Sequence, residues 1–420
     1  MSWITIRHRV AERLWNDSGV VEGADEIVAS DRGFPALDAV RAIGALMVVL
    51  THCAFNTGEI DHGLIGAVLS RFDVGVALFF VLSGFLLSRP VLMARAMGRP
   101  HPSVPHYLWK RALRILPLYW LVVVAVLLAD SANRPYTWHQ WLSELTLSQL
   151  YLAAPLASSL TQMWSLCTEV LFYLLLPLLV PVLMGRSGYS LRRILTRASV
   201  LAVLGLAWVP SANRLAPSHH PGQWLPGYLP WFLVGVAFAA VGVNDRVTGR
   251  PSRCDRAAAD VAGWWVLAGA LFAIACSDVA GPRLLLPASA LEGVVKCVLY
   301  GASAGCLVFP LVFGDELAGA GRTFLVGRLP SRLGEVSYGI FCLHMFVLVV
   351  GMRVAHVPVF TGRFWLVTPA VLLVTTGLAA LSYRFLEAPL LRLKNRGPFA
   401  PRISASAPAA TAAHATTAQH

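Results

Sequence analysis

One ionisable pair stands out in the first apolar segment of the chain, Arg41 and His52. On an α-helix, their spacing corresponds to about three turns plus roughly 20°, so both side chains are predicted on one face, about 16 Å apart along the axis. Asp38, one turn before Arg41, is expected to pair with it. A neutral imidazole suits a general base near neutral pH. The ordinary alternative is an interfacial histidine bonded to a backbone carbonyl, but ionisable residues inside membranes are functional candidates by default.

Other reactive side chains lie in later apolar segments. Glu169 begins one of them, and an uncompensated carboxylate in lipid costs several kcal/mol, so it is predicted to face the bundle interior and find a partner. There it would orient a histidine or bind an acceptor. Ser83 would be a nucleophile only with a base beside it. His344 is a second intramembrane imidazole, and Gly84 is of the small type that allows close helix packing.

Two arginines between the second and third apolar segments, Arg111 and Arg114, are three residues apart and therefore share a helix face at the membrane surface. Arginine forks match phosphate oxygens, which favours a clamp for a phosphate-bearing cofactor such as coenzyme A. Topology control with lipid headgroup contact is the alternative. By the same spacing, Arg384 and Glu387 are expected to form a structural ion pair.

The segments that must position these residues indicate a membrane protein. Hydrophobic residues make up 56% of the chain and charged residues 13%, against about 25% charged in soluble proteins, and the mean hydropathy is +0.63. A span needs about 20 apolar residues. The predicted fold is all-α and integral to the membrane, one bundle of about ten transmembrane helices near residues 36–55, 66–87, 113–130, 163–184, 198–210, 227–243, 261–277, 288–313, 337–355 and 364–385.

The charged residues predict the topology. The chain carries a net charge of +12, but its cations form short clusters between apolar runs, which is typical of cytoplasmic loops rather than of a nucleic-acid-binding face. With ten spans, the large majority of the 34 Lys and Arg residues fall on one side, so both termini are predicted to be cytoplasmic. The seven cysteines have no paired spacing, which indicates neither disulfides nor a metal site.

Three regions are expected. Residues 1–34 are a polar cytoplasmic extension without the apolar core of a signal peptide. Residues 35–390 form the transmembrane domain, and residues 391–420 form a cytoplasmic tail whose Ala, Thr and Ser content predicts disorder.

Taken together, these features resemble the acyltransferase 3 family of bacterial membrane O-acyltransferases over roughly residues 33–395. Each motif is weak alone, whereas six in one order across ten segments are specific. The residues that carry the resemblance are Arg41 with His52, the run 79–85, Arg111 and Arg114 with Pro117 and Tyr119, Trp164, Ser165 and Leu166 with Glu169, Phe172 and Tyr173, Ser337 and Tyr338 with His344, and Glu387 with Pro389.

The resemblance implies an acyl-CoA donor, usually acetyl-CoA, and an acceptor hydroxyl on a carbohydrate, glycolipid or glycosylated natural product such as a macrolide. It implies His52 as the essential histidine, with Arg41 as its partner and Glu169 beside them, and Arg111, Arg114, Arg41 and Ser83 as donor-binding residues. It also implies a multi-pass protein of the bacterial inner membrane, here without the esterase-like domain that some relatives carry. Self-association is left open.

Two other classes compete. Buried His, Glu and Arg residues also mark proton-coupled transporters and exporters, although no inverted repeat or pair of broken helices is evident. A membrane scaffold or sensor would not need Arg41 and His52 on one face. The acceptor, the acyl chain length and the choice between direct transfer and an acyl-histidine intermediate stay open.

Overall fold

The computed structural model describes residues 34–100, 103–152, 156–186, 188–215, 221–249, 253–283, 288–314 and 320–395, in which all regular elements are helical. Nearly all of the predicted 1–34 extension and most of the 391–420 tail lie outside these residues. The helices are α1 Pro35–Thr57, α2 Gly63–Ser70, α3 Gly75–Ala96, α4 Val104–Ala129, α5 Trp138–Leu145, α6 Met163–Met184, α7 Leu191–Leu215, α8 Leu225–Thr248, α9 Arg253–Ala257, α10 Val261–Ala275, α11 Ala290–Val312, α12 Ala320–Leu325, α13 Arg328–Val354, α14 Phe364–Ser382 and α15 Ala388–Leu391.

The predicted fold class is confirmed, with a change in the number of long spans. Within the described residues, nine helical segments are long and apolar enough to cross a membrane. The segment predicted as the fifth span, 198–210, lies within the long helix α7. The segment predicted as the seventh, 261–277, forms only the 15-residue α10. At about 1.5 Å per residue, such a helix is roughly 22 Å long, short of the ~30 Å hydrocarbon core.

Local sequence signals set where several helices begin. Before α11, the hydroxyl of Ser289 accepts the Glu292 N–H at 3.3 Å, and the Glu292 carboxylate accepts the Ser289 N–H at 2.6 Å. This reciprocal capping box satisfies two backbone donors that a helix start otherwise leaves open. Asp260 caps α10 in a similar way by accepting the Gly263 N–H at 2.9 Å.

The helices that carry the candidate site touch one another through glycines. A Cβ at Gly75 of α3 would overlap the Gly44 carbonyl of α1, and a Cβ at Gly334 of α13 would overlap the Asp38 carbonyl of α1. A Cβ at Gly84 of α3 would overlap the Phe232 carbonyl of α8, which confirms the predicted close packing at Gly84. At these glycines the backbones of α1, α3, α8 and α13 are in direct contact, which fixes how far each helix is shifted along its neighbours.

Substituting Gly84 tests this packing. The Gly84→Ala protein is expected to lose about 1–3 kcal/mol of stability, because a methyl group must force two backbones apart in a packed interior. The control is Gly377→Ala on α14, where an added Cβ meets nothing within 4 Å. Thermal unfolding of both variants in the same detergent, followed by tryptophan fluorescence, gives the comparison. Equal melting temperatures would show that the α3–α8 contact is not tight.

The segment between α4 and α6 buries a carboxyl group outside the spans. Glu144 of α5 is 2% exposed, and its backbone carbonyl accepts the Tyr119 hydroxyl at 2.5 Å. One carboxyl oxygen accepts the Ala157 N–H at 3.4 Å, and the other has no hydrogen-bond partner among the described residues. Burial raises the pKa of Glu144 to about 7. The folded protein therefore binds this proton more tightly than the unfolded chain does.

This buried carboxyl should make stability depend on pH. Because the folded pKa lies above the unfolded one, the associated stability is present at low pH and is lost as the pH rises through about 7. We expect unfolding free energy to fall by the order of 1–3 kcal/mol between pH 5.5 and 8.5. Glu144→Gln should remove most of this dependence of the unfolding free energy on pH. Asp61→Asn, at an exposed carboxylate, should leave it unchanged. Melting curves of the three proteins at pH 5.5 and 8.5 test this prediction. A Glu144→Gln protein with the same pH dependence as the wild type would contradict it.

Candidate active site

A cavity of about 570 Å³ lies between α1, α3, α4, α6 and α13, and residues of the segment after α14 also line it. Among the residues predicted for the site, the cavity is lined by Arg41, Ser83, Arg111, Arg114 and Glu169. These residues come from four helices, so only the folded bundle brings them together. His52 is not part of the lining.

Glu169 is held by two hydroxyl groups. Ser83 of α3 donates to one of its carboxyl oxygens, and Tyr173, one turn further along α6, donates to the same oxygen at 2.6 Å. The prediction that Glu169 faces the interior and finds a partner is confirmed. The carboxylate in turn orients both hydroxyl groups, and all three side chains line the cavity.

The cavity collects positive charge. Arg41 pairs with Asp38 at 2.5 Å, as the spacing predicted. Arg111 has a buried Nε without a hydrogen-bond partner among the described residues, and Arg114 stands 4.0 Å from Glu387. Five cationic side chains and three carboxylates line the cavity: Arg41, Lys110, Arg111, Arg114 and Lys394, with Asp38, Glu169 and Glu335. An excess of cations with free donors suits a ligand that carries phosphate groups.

The predicted ion pair between Arg384 and Glu387 is wrong. Residues Tyr383–Glu387 form a π-helical turn, and this wider turn does not stack positions three residues apart as an α-helix does. The Arg384 guanidinium lies over the Phe385 ring, 5.6 Å from its centroid, whereas Glu387 is 2% exposed and faces Arg114. The turn therefore gives the cavity arginine an acidic neighbour.

Two imidazole rings meet between α1 and α13. The Nδ1 of His52 lies 3.3 Å from the Nε2 of His344, and the ring centroids are 5.1 Å apart. His52 is half-buried and His344 fully buried. Sequence reasoning had noted His344 as an imidazole in an apolar segment but had not included it in the site.

The hydrogen-bond pattern assigns the tautomers of this pair. His344 Nδ1 lies 2.8 Å from the Phe341 carbonyl, and His52 Nδ1 lies 2.7 Å from the Val48 carbonyl. Because a carbonyl only accepts, both Nδ1 atoms carry the proton. His344 Nε2 is then a lone-pair acceptor facing His52 Nδ1–H, and His52 Nε2 is left unprotonated. His52 thus makes the carbonyl bond of the ordinary interpretation and still presents a free base.

Two phenylalanine rings of the cavity lining lie near the histidine pair. Phe79 and Phe341 both line the cavity, and their centroids are 6.2 Å apart in an edge-to-face arrangement. On its other side, the Phe341 ring packs 6.1 Å from the His344 ring. Phe341 therefore links the cavity lining to His344, the neighbour of His52. Arg41, on the same helix as His52, lines the cavity, whereas His52 does not.

Comparison with known proteins gives a consistent result. The family model Acyl_transf_3, described as "Acyltransferase domain", matches residues 34–384. The chain is 26% identical to a Bacillus subtilis protein that carries the provisional name peptidoglycan O-acetyltransferase YrhL; the match covers 86% of the chain and 55% of that relative, so the chain spans little more than half its length. It is 25% identical to Acyltransferase MdmB of Streptomyces mycarofaciens, over 86% of the chain and 92% of the relative. It is 29% identical to the exopolysaccharide production protein ExoZ of Rhizobium meliloti, over 82% and 95%. No solved structure gives a significant match.

The histidine pair predicts a graded response to substitution of His344. His344→Leu leaves the Val48 carbonyl as the only acceptor beside His52 Nδ1–H and should lower the acyl-transfer rate about 10–100-fold, because the His52 ring then loses the second contact that holds its orientation. His344→Gln, whose amide oxygen can stand near the Nε2 position, should retain more activity than His344→Leu. The comparison uses the acyl-transfer rates of wild type, His344→Leu and His344→Gln proteins that are expressed to the same level and have similar melting temperatures. Equal activity of wild type and His344→Leu would exclude a positioning role.

Proposed function

Because the chain belongs to the Acyl_transf_3 acyltransferase family, we propose that it moves an acyl group, acetyl in the simplest case, from acyl-CoA to a hydroxyl of a carbohydrate-containing acceptor. It is a multi-pass membrane protein, and we place it in the bacterial inner membrane. The observation that carries the proposal is the arginine-lined cavity, whose lining residue Phe341 packs against His344, the neighbour of His52.

The cavity supports an acyl-CoA donor. Coenzyme A carries three phosphate groups, and Arg111 and Arg114, with Lys110 and Lys394 nearby, provide the cations to bind them. Arg41 lines the same cavity from α1, where it would orient the remainder of the donor. In this arrangement the thioester points toward Phe79 and Phe341. The cation-rich mouth supports a cytoplasmic location for this end of the bundle, because cytoplasmic segments of membrane proteins are rich in Lys and Arg.

His52 is the proposed general base. Its Nε2 takes the proton of the acceptor hydroxyl as the oxygen attacks the thioester carbonyl, so that a C–O bond forms and the C–S bond breaks. The proton then passes to the departing thiolate, which leaves as free coenzyme A. The imidazolium that forms in between is stabilised by the Val48 carbonyl and His344 Nε2. An acyl-histidine intermediate would use the same nitrogen as nucleophile, in two steps.

The names of relatives support the acceptor class. One is named for peptidoglycan O-acetylation and another for exopolysaccharide production, and both materials are built of sugars. The proton-coupled transporter considered from the sequence is not proposed, since family membership favours acyl transfer over transport.

A deletion strain tests the proposal. We expect mass spectrometry of its surface glycans and secreted metabolites to show the loss of one acyl group from a defined compound. The wild-type gene and His139→Ala, a change at an exposed histidine of α5, should restore it. His52→Ala should lower transfer by about 10²–10⁴-fold. With purified protein, acetyl-CoA and the under-acylated compound, free thiol should be released in step with acylation.

Two results would refute it. One is a deletion strain whose glycans and metabolites keep all their acyl groups. The other is full restoration by His52→Ala protein present at the wild-type level.

A further inference from the structure

A second polar cluster lies at the end of the bundle away from the arginine cavity. The Lys296 ammonium of α11 donates to the Asp73 carboxylate at 2.7 Å, and the Tyr300 hydroxyl, one turn along α11, donates to its other oxygen. Asp73 comes just before the start of α3, whereas residues between positions 79 and 87 of α3 line the arginine cavity. None of the three residues lines that cavity.

The ion pair is partly open although it lies within membrane-spanning segments. Asp73 belongs to the Gly63–Ala96 segment and Lys296 to Ala290–Val312. Their side chains are 39% and 33% exposed, respectively. Charged groups at this depth face the bundle interior or a water-filled cavity, because contact with lipid is costly. The exposed part of this pair therefore faces water rather than lipid, and we call the space beside it the recess.

This recess adjoins His52. A Cβ at Gly75 would lie 3.1 Å from the Val48 side chain, so α1 and α3 touch at this level. From this contact, His52 is one turn further along α1, and Asp73 is two residues before Gly75, toward the same end of the bundle. Asp73 and His52 therefore lie on the same side of the contact between Gly75 and Val48.

Aromatic rings form a wall beside the ion pair. The Trp231 ring lies 6.1 Å from Tyr300, the Tyr228 ring 4.9 Å from Trp231, and the Trp164 ring 5.0 Å from Tyr228. Trp164 and Tyr228 are partly exposed. A carboxylate, an ammonium group and aromatic faces together match a sugar, whose hydroxyl groups donate and accept and whose C–H face is apolar.

We propose that this recess binds the sugar of the acceptor. Asp73 accepts from the sugar hydroxyls, Lys296 donates to them, and Trp164 and Tyr228 stack on the ring, so that a further hydroxyl points at His52 Nε2. The assignment rests on the proposed function and adds to it the place of acceptor binding. Donor and acceptor then enter from opposite ends of the bundle and meet at the histidine pair.

Thiol labelling tests the recess without any substrate. Lys296→Cys, made together with Asp73→Asn so that no charge is left unpaired, is treated with a charged methanethiosulfonate reagent in membrane fragments open on both faces. The control is Leu373→Cys on α14, where the leucine is 76% exposed on the apolar surface. We expect labelling above the wild-type background for the first variant and not for the second. If the first variant is not labelled, the claim that the recess is open to water is wrong.

Kinetics test the acceptor role. The substrates are acetyl-CoA and the under-acylated compound isolated from the deletion strain. Asp73→Asn with Lys296→Met should raise the KM for that compound at least about 10-fold, with the KM for acetyl-CoA and kcat within about twofold; Tyr300→Phe should raise it less. If the pair were merely structural, the double variant would instead have a lower kcat and a lower melting temperature, without a rise in KM that is specific to the compound.

The outcomes separate the two proposals. If wild-type protein acetylates the compound and the double variant keeps the wild-type KM, the acceptor site is refuted and the proposed function stands. If the deletion strain has lost no acyl group, the proposed function fails and the acceptor role fails with it, even where labelling shows a water-filled recess.

Discussion

A charge inside a bilayer finds no partner in hydrocarbon, so the protein itself must supply one. The described part of the chain follows this constraint at three positions. Arg41 pairs with Asp38, Glu169 accepts hydrogen bonds from two hydroxyl groups, and Lys296 pairs with Asp73. Because every partner comes from a defined helix or from the next turn, compensation of charge also sets how the helices rotate against one another. The polar interior is thus both the candidate machinery and a determinant of the packing around it.

The same constraint explains why the polar groups form separate clusters. The arginine cavity lies at one end, the Asp73–Lys296 pair at the other, and the histidine pair between them, with His344 next to Phe341. A continuous polar path would let water reach the thioester and ions cross the membrane. The Phe79 and Phe341 rings add apolar surface on the side of the cavity next to His344. Of the parts of the proposed donor, the acyl group is the one that such a surface suits best.

Much of this arrangement could be predicted from sequence, because hydropathy and helical spacing are local properties. They predicted the all-α membrane fold, the Asp38–Arg41 pair and an interior Glu169. They overestimated the helix at 261–277, since composition does not show where a helix ends, and they missed the π-turn that separates Arg384 from Glu387. The meeting of His52 with His344 joins residues 292 apart in sequence. No periodic pattern encodes such a contact; it depends on glycine contacts that bring α1 against α3 and α13.

The choice of partner for His52 bears on how easily a proton moves. A carboxylate bonded to Nδ1, as in serine hydrolases, strongly stabilises the imidazolium. Here the partners are neutral, a backbone carbonyl and the second imidazole, and the nearby Asp73 is already neutralised by Lys296. In a low-dielectric interior a cation with neutral partners is stabilised less. In the proposed reaction, His52 would therefore hold the proton of the hydroxyl only loosely and return it readily to the thiolate. The pairing of Asp73 with Lys296 serves the same end, because it leaves no unpaired carboxylate on the His52 side of the contact between α1 and α3.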